Sequence, residues 1–567
     1  MNLLLRKTPD RSKPNRRDFM VQSGCAGLGI TSAVNTLAHL QLMGTAAAQG
    51  AGNDYKALVC VFLNGGCDTN NLLIPLGGSA RGQYESGRGV PTYAGGTGGV
   101  AIPLADITAA GTQLSPLNPT SEYEHAAGYI GSLGGSPMAV HPAAGHLKDL
   151  FDSQELSFIS NVGVLTQPNV TRANFTSLPP SQKPPQLFSH SDQQRQWQSS
   201  IPDRPFTSGW GGRLADLLDG VHNTDAEALS MMVSVNGFNS FQVGLQQQPY
   251  VMGANGVSSF SGFGTNYTNG LLTLGRQPYT SYDPFVTPGS TGSNYDANSN
   301  GWRLAALEQM LDMSHDSLFD NAYINVAKSA RVTEGLVGSA LALTDDGIGG
   351  TTLDPHFSNA YAGSGINGLT DGFALQMRMV ARLIAGQSAL NNKRQIFFVQ
   401  LGGWDTHTSQ IPVLNGAART DQGYHRLMLN LSCAIKAFRD SVQSAGLWDN
   451  VMAFTASDFT RTFTPNKTDE TGGSDHGWGG HMMVAGGAVK GKRILGQFPN
   501  LTVNGGMDVQ GNRGRWIPTT SVDQYAAVIG KWFGVGPGQM SAVFPNLSRY
   551  TDPFTPAGRL DFVDYGV

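Results

Sequence analysis

The chain has 567 residues, of which 40% are hydrophobic and 14% charged, and its 37 Lys and Arg stand against 41 Asp and Glu for a formal net charge of -4. A chain of this length can bury a large core, either in one elaborated domain or in two. Its acidic balance disfavours nucleic acid as a partner.

The first segment has the features of a signal peptide. Arg16 and Arg17 precede a modest apolar stretch from Val21 to Met43, and Ala46–Ala48 offer a small-residue cleavage site. The arginine pair selects the twin-arginine translocase, which carries folded proteins. Residues 1–48 are therefore predicted to be a twin-arginine signal peptide, and the protein to be periplasmic or extracellular. No later stretch is apolar enough to predict a permanent membrane span.

Short apolar runs predict the strands of a parallel sheet, because most of them are apolar on both faces and such strands are covered by helices. These runs are Leu58–Leu63, Leu156–Val162, Ile396–Leu401, Val451–Thr455 and Met482–Ala485. Helical periodicity alternates with the later strands, over 302–343, 373–390, 425–445 and 522–533, with Ser521 as the N-cap of the last. The pattern predicts an α/β fold with a doubly wound, mostly parallel sheet.

Between about residues 230 and 300 the composition shifts to Gly, Ser, Asn, Gln and Tyr with few charges. A disordered linker would have this polarity, but the stretch also holds ten aromatic residues, which is too many for a solvated tether. It is predicted to be an ordered, loop-rich insertion beside the main sheet. The remainder of 49–567 is treated as a single α/β domain.

Acidic residues and histidines follow three of the predicted strands directly. Asp68 comes after the first strand, Asp405 and His407 follow another, and Asp458 follows a third, each in a turn of glycines or small residues. In open parallel sheets ligands bind outside the carboxyl ends of the strands, so these turns are expected to meet at one crevice.

A fourth cluster lies in the glycine-rich stretch 472–481. It contains Asp475, His476 and His481, a composition typical of metal ligands, although Asp and His also serve in ordinary turn hydrogen bonds. With the three strand-end turns it predicts a site for two divalent cations, which together need about six such ligands. Zinc, manganese, magnesium and calcium all remain open.

These motifs resemble those of the twin-arginine-exported bacterial family of unknown function numbered fifteen-oh-one. The resemblance covers nearly all of the predicted mature chain and is carried by the following strings: VFLNGGCDTNN (61–71), HP (141–142), FSHSDQ (188–193), GWGGR (209–213), QLGGWDTH (400–407), SDFTRT (457–462), SDHGWGGH (474–481), GGAV (486–489) and the stretch 515–532.

That family is distantly similar to the alkaline phosphatase and sulfatase superfamily, which implies an alkaline-phosphatase-like α/β fold with two metals at the strand ends. Asp68 would match its first metal aspartate, Asp405 with His407 its middle group, and Asp458 the aspartate after the later strand. The superfamily often has an Asp-His pair at that last position, whereas here the pair Asp475–His476 comes 17 residues later. Both groups are kept as metal ligands, and His481 with them.

The resemblance also implies a nucleophile at the start of a helix. Ser189 and Ser191 precede the predicted helix 192–198, although the same string is an ordinary helix cap. Arg461, three residues after Asp458, would orient the anion. In formylglycine sulfatases the modified Cys is followed two residues later by Pro or Ser and then by Arg. Here Asp68 and Thr69 follow Cys67, so that class of sulfatase is disfavoured.

The function implied is that of an exported, metal-dependent hydrolase of phosphate or sulfate esters, on small molecules, sugars or polysaccharides. One alternative is a non-catalytic surface or assembly protein that retains the fold. Another is a carbohydrate-binding protein that recognises glycans through 230–300.

Overall fold

The computed structural model describes residues 55–117, 138–225, 228–256, 299–312 and 333–565, apart from 415, 416, 419, 510, 512 and 559. The predicted signal peptide lies outside the described residues. The described residues all belong to one compact unit.

The strands are β1 (Lys56–Leu63), β2 (Leu73–Pro75), β3 (Gln113–Leu114), β4 (Met138–Val140), β5 (Leu156–Gly163), β6 (Met232–Ser234), β7 (Tyr250–Val251), β8 (Arg394–Leu401), β9 (Val413–Leu414), β10 (Ala417–Ala418), β11 (Val451–Ser457), β12 (Gly480–Gly486), β13 (Arg493–Gly496) and β14 (Thr520–Ser521). The helices are α1 (Gly78–Arg88), α2 (Leu104–Ala110), α3 (Gly145–Asp152), α4 (Arg172–Phe175), α5 (His190–Ser199), α6 (Trp210–His222), α7 (Ser299–Asp312), α8 (Asp354–Ala360), α9 (Gly372–Ala385), α10 (Gly423–Ser444), α11 (Val522–Phe533) and α12 (Met540–Val543). Residues 333–342 are also helical.

The main sheet is mostly parallel, and this part of the prediction is confirmed. Its strand order is β13-β5-β12-β11-β1-β8-β6-β7, and β14 pairs with β5. Among the described strands of this sheet, only β12 runs opposite to its neighbours, pairing antiparallel with both β11 and β5. The chain between β11 and β12 has no described helix that could carry it back across the sheet, so it enters β12 from the edge at which β11 ends.

Helices cover both faces of this sheet. Val59 and Val61 of β1 belong to a buried cluster with Met377 of α9 and Leu431 of α10. On the other face Phe454 of β11 lies 5.3 Å from the ring of Trp210 in α6 and 6.4 Å from that of Tyr525 in α11. None of the described helices combines the length and apolar composition that a membrane span requires.

Most predicted elements are found close to their expected bounds. The five predicted strands correspond to β1, β5, β8, β11 and β12, and three of the helices to α9, α10 and α11. The helix predicted over 302–343 is present as α7 and as residues 333–342, and residues 313–332 lie outside the described part.

The predicted insertion over 230–300 differs from the structure in its first part. Instead of lying beside the main sheet, β6 pairs with β8 and β7 pairs with β6, so both strands extend its edge. The apolar run Met231–Val235 is too short to separate from its polar surroundings by composition. Residues 257–298 lie outside the described part.

One buried carboxyl lies in the first turn of α11, beyond the Ser521 cap. Ser521 and Gln524 form a capping box, and Asp523 between them is almost inaccessible to solvent. Burial raises the pKa of Asp523 to about 7, against the opposing charge of Arg213. The folded protein therefore holds this proton more tightly than the unfolded chain does.

The stability of the fold should consequently fall as pH rises from 3.8 through about 7. The contribution of the raised pKa is complete below the unfolded value of 3.8 and is lost as pH rises through about 7. Urea unfolding should show that the free energy of unfolding of the wild-type protein falls by about 2–3 kcal/mol between pH 5 and pH 8. In the Asp523→Asn variant this loss should be absent. The exposed Asp149→Asn variant should behave as wild type, and an Asp523→Asn variant that tracks wild type at both pH values would contradict the assignment.

Candidate metal centre

The turns after β1, β8 and β11 meet at one edge of the sheet. The backbone N–H of Gly65 donates to Asp458 Oδ1 at 3.3 Å, and Arg461 donates to Asp405 Oδ1 at 2.6 Å and to the Gly65 carbonyl at 3.2 Å. Gly65 has a φ of +111°, and a Cβ there would lie 2.6 Å from the Asp405 nitrogen. Only glycine allows the first two turns to approach this closely.

The reversed direction of β12 brings a fourth segment to the same edge. The loop before it packs on the turn after β8, where a Cβ at Gly473 would lie 2.2 Å from the Thr406 carbonyl oxygen. Arg461 and His476 form an isolated bridge between the two sides of the loop. The loop thereby places Asp475 and His476 beside the turn that holds Asp405.

Helix α5 contributes a histidine to this edge. Its first residue, His190, lies with its Nδ1 2.7 Å from Asp458 Oδ2. Gln194, one turn further along, donates to the same oxygen at 2.9 Å and to Asn64 Oδ1 at 2.7 Å. The buried Asp458 therefore fixes the orientation of the His190 ring through Nδ1, on the side opposite to Nε2.

Three imidazole rings are each held through Nδ1 by an oxygen acceptor. Asp458 holds His190, Asp475 Oδ1 lies 2.9 Å from His407 Nδ1, and the carbonyl oxygen of Phe188 lies 2.6 Å from His476 Nδ1. An acceptor at Nδ1 assigns the proton to that nitrogen and leaves a lone pair on Nε2. Metal-binding histidines are oriented in this way in proteins.

The three Nε2 atoms point towards Asp405. Its Oδ1 lies 3.1 Å from His407 Nε2, 3.5 Å from His190 Nε2 and 3.7 Å from His476 Nε2. The ligand atoms of His190, Asp405 and His476 all lie within 4.8 Å of one another. We call these four side chains, Asp405, His190, His407 and His476, the histidine cluster.

Two observations favour a cation within the histidine cluster. The Nε2 atom of His190 is shielded from solvent and has no hydrogen-bond partner among the described residues. The Nε2 atoms of His407 and His476 lie 2.9 Å apart, and two lone pairs at this separation repel unless a proton or a metal ion is shared between them. The residues present therefore fit a divalent cation with nitrogen and oxygen ligands.

The surrounding charges keep the carboxylates of this site ionised. Burial alone would raise the pKa of Asp405, but the hydrogen bond and charge of Arg461 lower it. Burial is likewise outweighed at Asp475, where Asn466, His407 and Arg513 lower the pKa to about 2.

The pKa values of two of the ring nitrogens shift in opposite directions. The hydrogen bond to Asp458 raises the pKa of His190 against the effect of burial, whereas burial lowers the pKa of His476 against the effect of its bond to Phe188. In the absence of metal, His190 therefore holds a second proton more readily than His476 does.

Asp68 lies outside the histidine cluster. Its carboxylate is fully buried and is bound by the Arg88 guanidinium and the Gln410 amide, with Asn70 Nδ2 at 3.3 Å from Oδ1. A buried carboxylate paired in this way stabilises the turn after β1. The structure places it in an ion pair and not beside the three histidines.

His481 also lies apart from the histidine cluster, buried near the start of β12. Its ring stacks on Phe498 with 4.7 Å between centroids, and Asn161 N lies 3.3 Å from its Nδ1. Burial lowers the pKa of His481 to about 3, so the ring is neutral. It serves as a packed core residue.

The structure places Ser189, Ser191 and Arg461 away from the catalytic roles that the resemblance implies for them. Ser189 Oγ donates to Asp192 Oδ2 at 2.6 Å and lies 3.4 Å from the Oγ of the exposed Ser191, and neither hydroxyl bonds to a described histidine. The side chain of Arg461 is 0% exposed. Its guanidinium binds Asp405, the Gly65 carbonyl and the Ser474 carbonyl, so it holds the turns together.

Sequence reasoning did not single out His190 or Arg513. His190 lies inside the string FSHSDQ, in which the resemblance implies the neighbouring serines as the nucleophile instead. Arg513 lies in a loop that contains none of the motifs, and it donates to Asp475 Oδ2 at 2.6 Å. His190 lies two residues before the predicted helix 192–198, and the sequence does not show which strand end that helix faces.

The chain is similar to a family described as a protein of unknown function (DUF1501), over residues 305–510. The matched stretch includes Asp405, His407, Asp458, Asp475 and His476, but it ends before Arg513 and excludes His190. No curated protein matches the chain. The site must therefore be interpreted from its own geometry.

Proposed function

We propose that the chain is a metal-dependent hydrolase in which the histidine cluster binds one divalent cation. The observation that carries this proposal is the orientation of three imidazoles by oxygen acceptors at Nδ1, with their Nε2 atoms directed at Asp405. Three nitrogen ligands and one carboxylate suit zinc or manganese better than magnesium or calcium, which prefer oxygen. A second cation would need Asp68 and His481, and both side chains are engaged elsewhere.

The cluster is open enough for a substrate to reach it. The side chain of Asp405 is 48% exposed and that of His407 is 40% exposed, whereas Asp458 behind them is fully buried. A bound divalent cation would polarise an ester oxygen and lower the pKa of a water molecule. Asp458 and Asp475 orient the imidazoles, and Arg461 holds the turn of Asp405, so the protein supplies a fixed geometry around that ion.

The substrate class we propose is a phosphate or sulfate ester, on a small molecule, a sugar or a polysaccharide. The resemblance to the alkaline phosphatase and sulfatase superfamily supports this class, as does a site at the carboxyl edge of a mostly parallel sheet covered on both faces. Water is a better candidate for the nucleophile than Ser189 or Ser191, because neither hydroxyl bonds to a residue of the histidine cluster and Ser189 donates to Asp192 instead. We further propose that the enzyme acts in the periplasm or outside the cell, after export by the twin-arginine translocase.

Turnover should depend on the metal. The mature chain from Gln49, loaded with zinc, is tested on aryl phosphates, phosphodiesters and aryl sulfates before and after a chelator. We expect hydrolysis of at least one class, lost on chelation and restored by zinc, with Ser189→Ala retaining it. Zinc-loaded protein that turns over none of these esters would favour a non-catalytic surface, assembly or carbohydrate-binding protein instead.

A further inference from the structure

We infer that Arg513 and Arg515 form a subsite for the anionic oxygens of the ester, next to the histidine cluster. This inference rests on the proposed function and names the residues that would select its substrate. It also replaces Arg461 as the anion-binding group, because the Arg461 side chain is 0% exposed.

Each of the two guanidinium groups is tethered beside a histidine of the cluster. Arg513 donates to Asp475 Oδ2 at 2.6 Å, and the other oxygen of that carboxylate lies 2.9 Å from His407 Nδ1. Arg515 donates through Nε to the His476 carbonyl oxygen at 2.8 Å. Arg513 is therefore linked to His407 through Asp475, and Arg515 is bonded to the backbone of His476 itself.

Packing fixes the second guanidinium further. Its central carbon lies 4.4 Å from the ring centroid of Phe188, the residue whose carbonyl oxygen holds His476. A stacked guanidinium with one bonded edge loses little freedom when the other edge binds an anion. Arg515 is thus oriented before any ligand arrives.

The two cations are close enough to repel each other. Burial lowers the pKa of Arg515, and the positive charge of Arg513 lowers it further. The Nε atom of Arg513 is shielded from solvent and has no hydrogen-bond partner among the described residues. Two like charges with donors to spare form a site that an oxyanion would stabilise.

The charge balance of the site also favours an anion. The site holds three carboxylates, Asp405, Asp458 and Asp475, and three guanidiniums, Arg461, Arg513 and Arg515. Adding a divalent cation makes this edge net positive. It stays positive when Asp508 is counted, a buried carboxylate that accepts from the backbone of Arg515 and Asn504.

A phosphate or sulfate group fits this arrangement better than a neutral ester. Its non-bridging oxygens can accept paired N–H groups from a guanidinium, a geometry that lysine cannot reproduce. A carboxylic ester has no such charged oxygens, so the two arginines would bind its neutral carbonyl oxygen more weakly.

The test uses inorganic phosphate and inorganic sulfate as probes, titrated by calorimetry into the zinc-loaded mature chain. Arg515→Gln should weaken binding of the preferred anion roughly 10-fold or more, because it removes a charged hydrogen-bond donor. Arg515→Lys should recover only part of the loss, and Arg513→Gln should also weaken binding. The matched control is Arg195→Gln, an exposed arginine on α5 that faces a separate groove and should leave binding unchanged.

Zinc content is measured on every variant, together with the urea midpoint, so that a folding defect is recognised. Wild-type affinity for both anions in Arg515→Gln and Arg513→Gln at full zinc content would overturn the subsite, as would zinc-loaded wild type that binds neither anion. A chain that holds no zinc counts against the proposed function instead. The same titration of that zinc-free chain, with Arg515→Gln beside it, still decides the role of the arginines.

Discussion

His476→Ala is expected to abolish metal binding. After dialysis against buffer without metal, the wild-type mature chain should retain about one zinc ion, and the variant less than about a tenth of one. The reason is that the variant removes one of the four ligands, and changes to residues behind the ligands already weaken metal affinity by about 10–100-fold in proteins. Elemental analysis by mass spectrometry measures the zinc directly.

His146→Ala is the matched control for this loss. His146 lies on α3, partly exposed, with Asp149 3.5 Å from its Nδ1 and the Ala360 carbonyl 3.1 Å from its Nε2. It should keep the full zinc content. Equal zinc in His476→Ala and wild type would show that the metal, if bound, is held elsewhere.

Asp68→Ala is expected to destabilise the fold without removing the metal. Asp68 and Arg88 are both fully buried and paired, and Gln410 binds the same carboxylate oxygen. Removing one partner leaves a buried, uncompensated guanidinium, which lowers the free energy of unfolding by about 3–5 kcal/mol. Urea unfolding followed by circular dichroism measures this change, and zinc per folded chain should stay at the wild-type level.

A surface pair provides the comparison. Lys148 and Asp152 form an ion pair on α3 with side chains 26% and 35% exposed, so Lys148→Ala should change stability by less than about 1 kcal/mol. If Asp68→Ala were as stable as Lys148→Ala but lost zinc, then Asp68 would be a ligand and the one-cation account would be wrong.

The sequence predicts five strands of the main sheet, three of the helices and the mostly parallel pairing. The apolar runs that became β1, β8 and β11 are buried on both faces, which is what continuous hydrophobicity signals. The direction of β12 could not be predicted, because its sequence is as apolar as that of its neighbours. The direction of a strand depends on the edge of the sheet from which the preceding loop enters it. The length of that loop does not show which edge this is.

The site could be predicted only in part, for a related reason. Strand topology brings the turns of Asp405 and Asp458 together, so their convergence follows from sequence. Whether a carboxylate binds a metal or a guanidinium depends on its spatial neighbours, and Arg88 reaches Asp68 from a helix 20 residues away. His190 needed knowledge of which strand end its helix faces.

The most direct measurement of the central claim is a crystal structure of the zinc-loaded chain, with an anomalous difference map at the zinc absorption edge. We predict a single strong peak about 2.0–2.2 Å from a carboxylate oxygen of Asp405 and from the Nε2 atoms of the three histidines, His190, His407 and His476. A map with no peak there, or with its peak beside Asp68 or His481, would contradict the account.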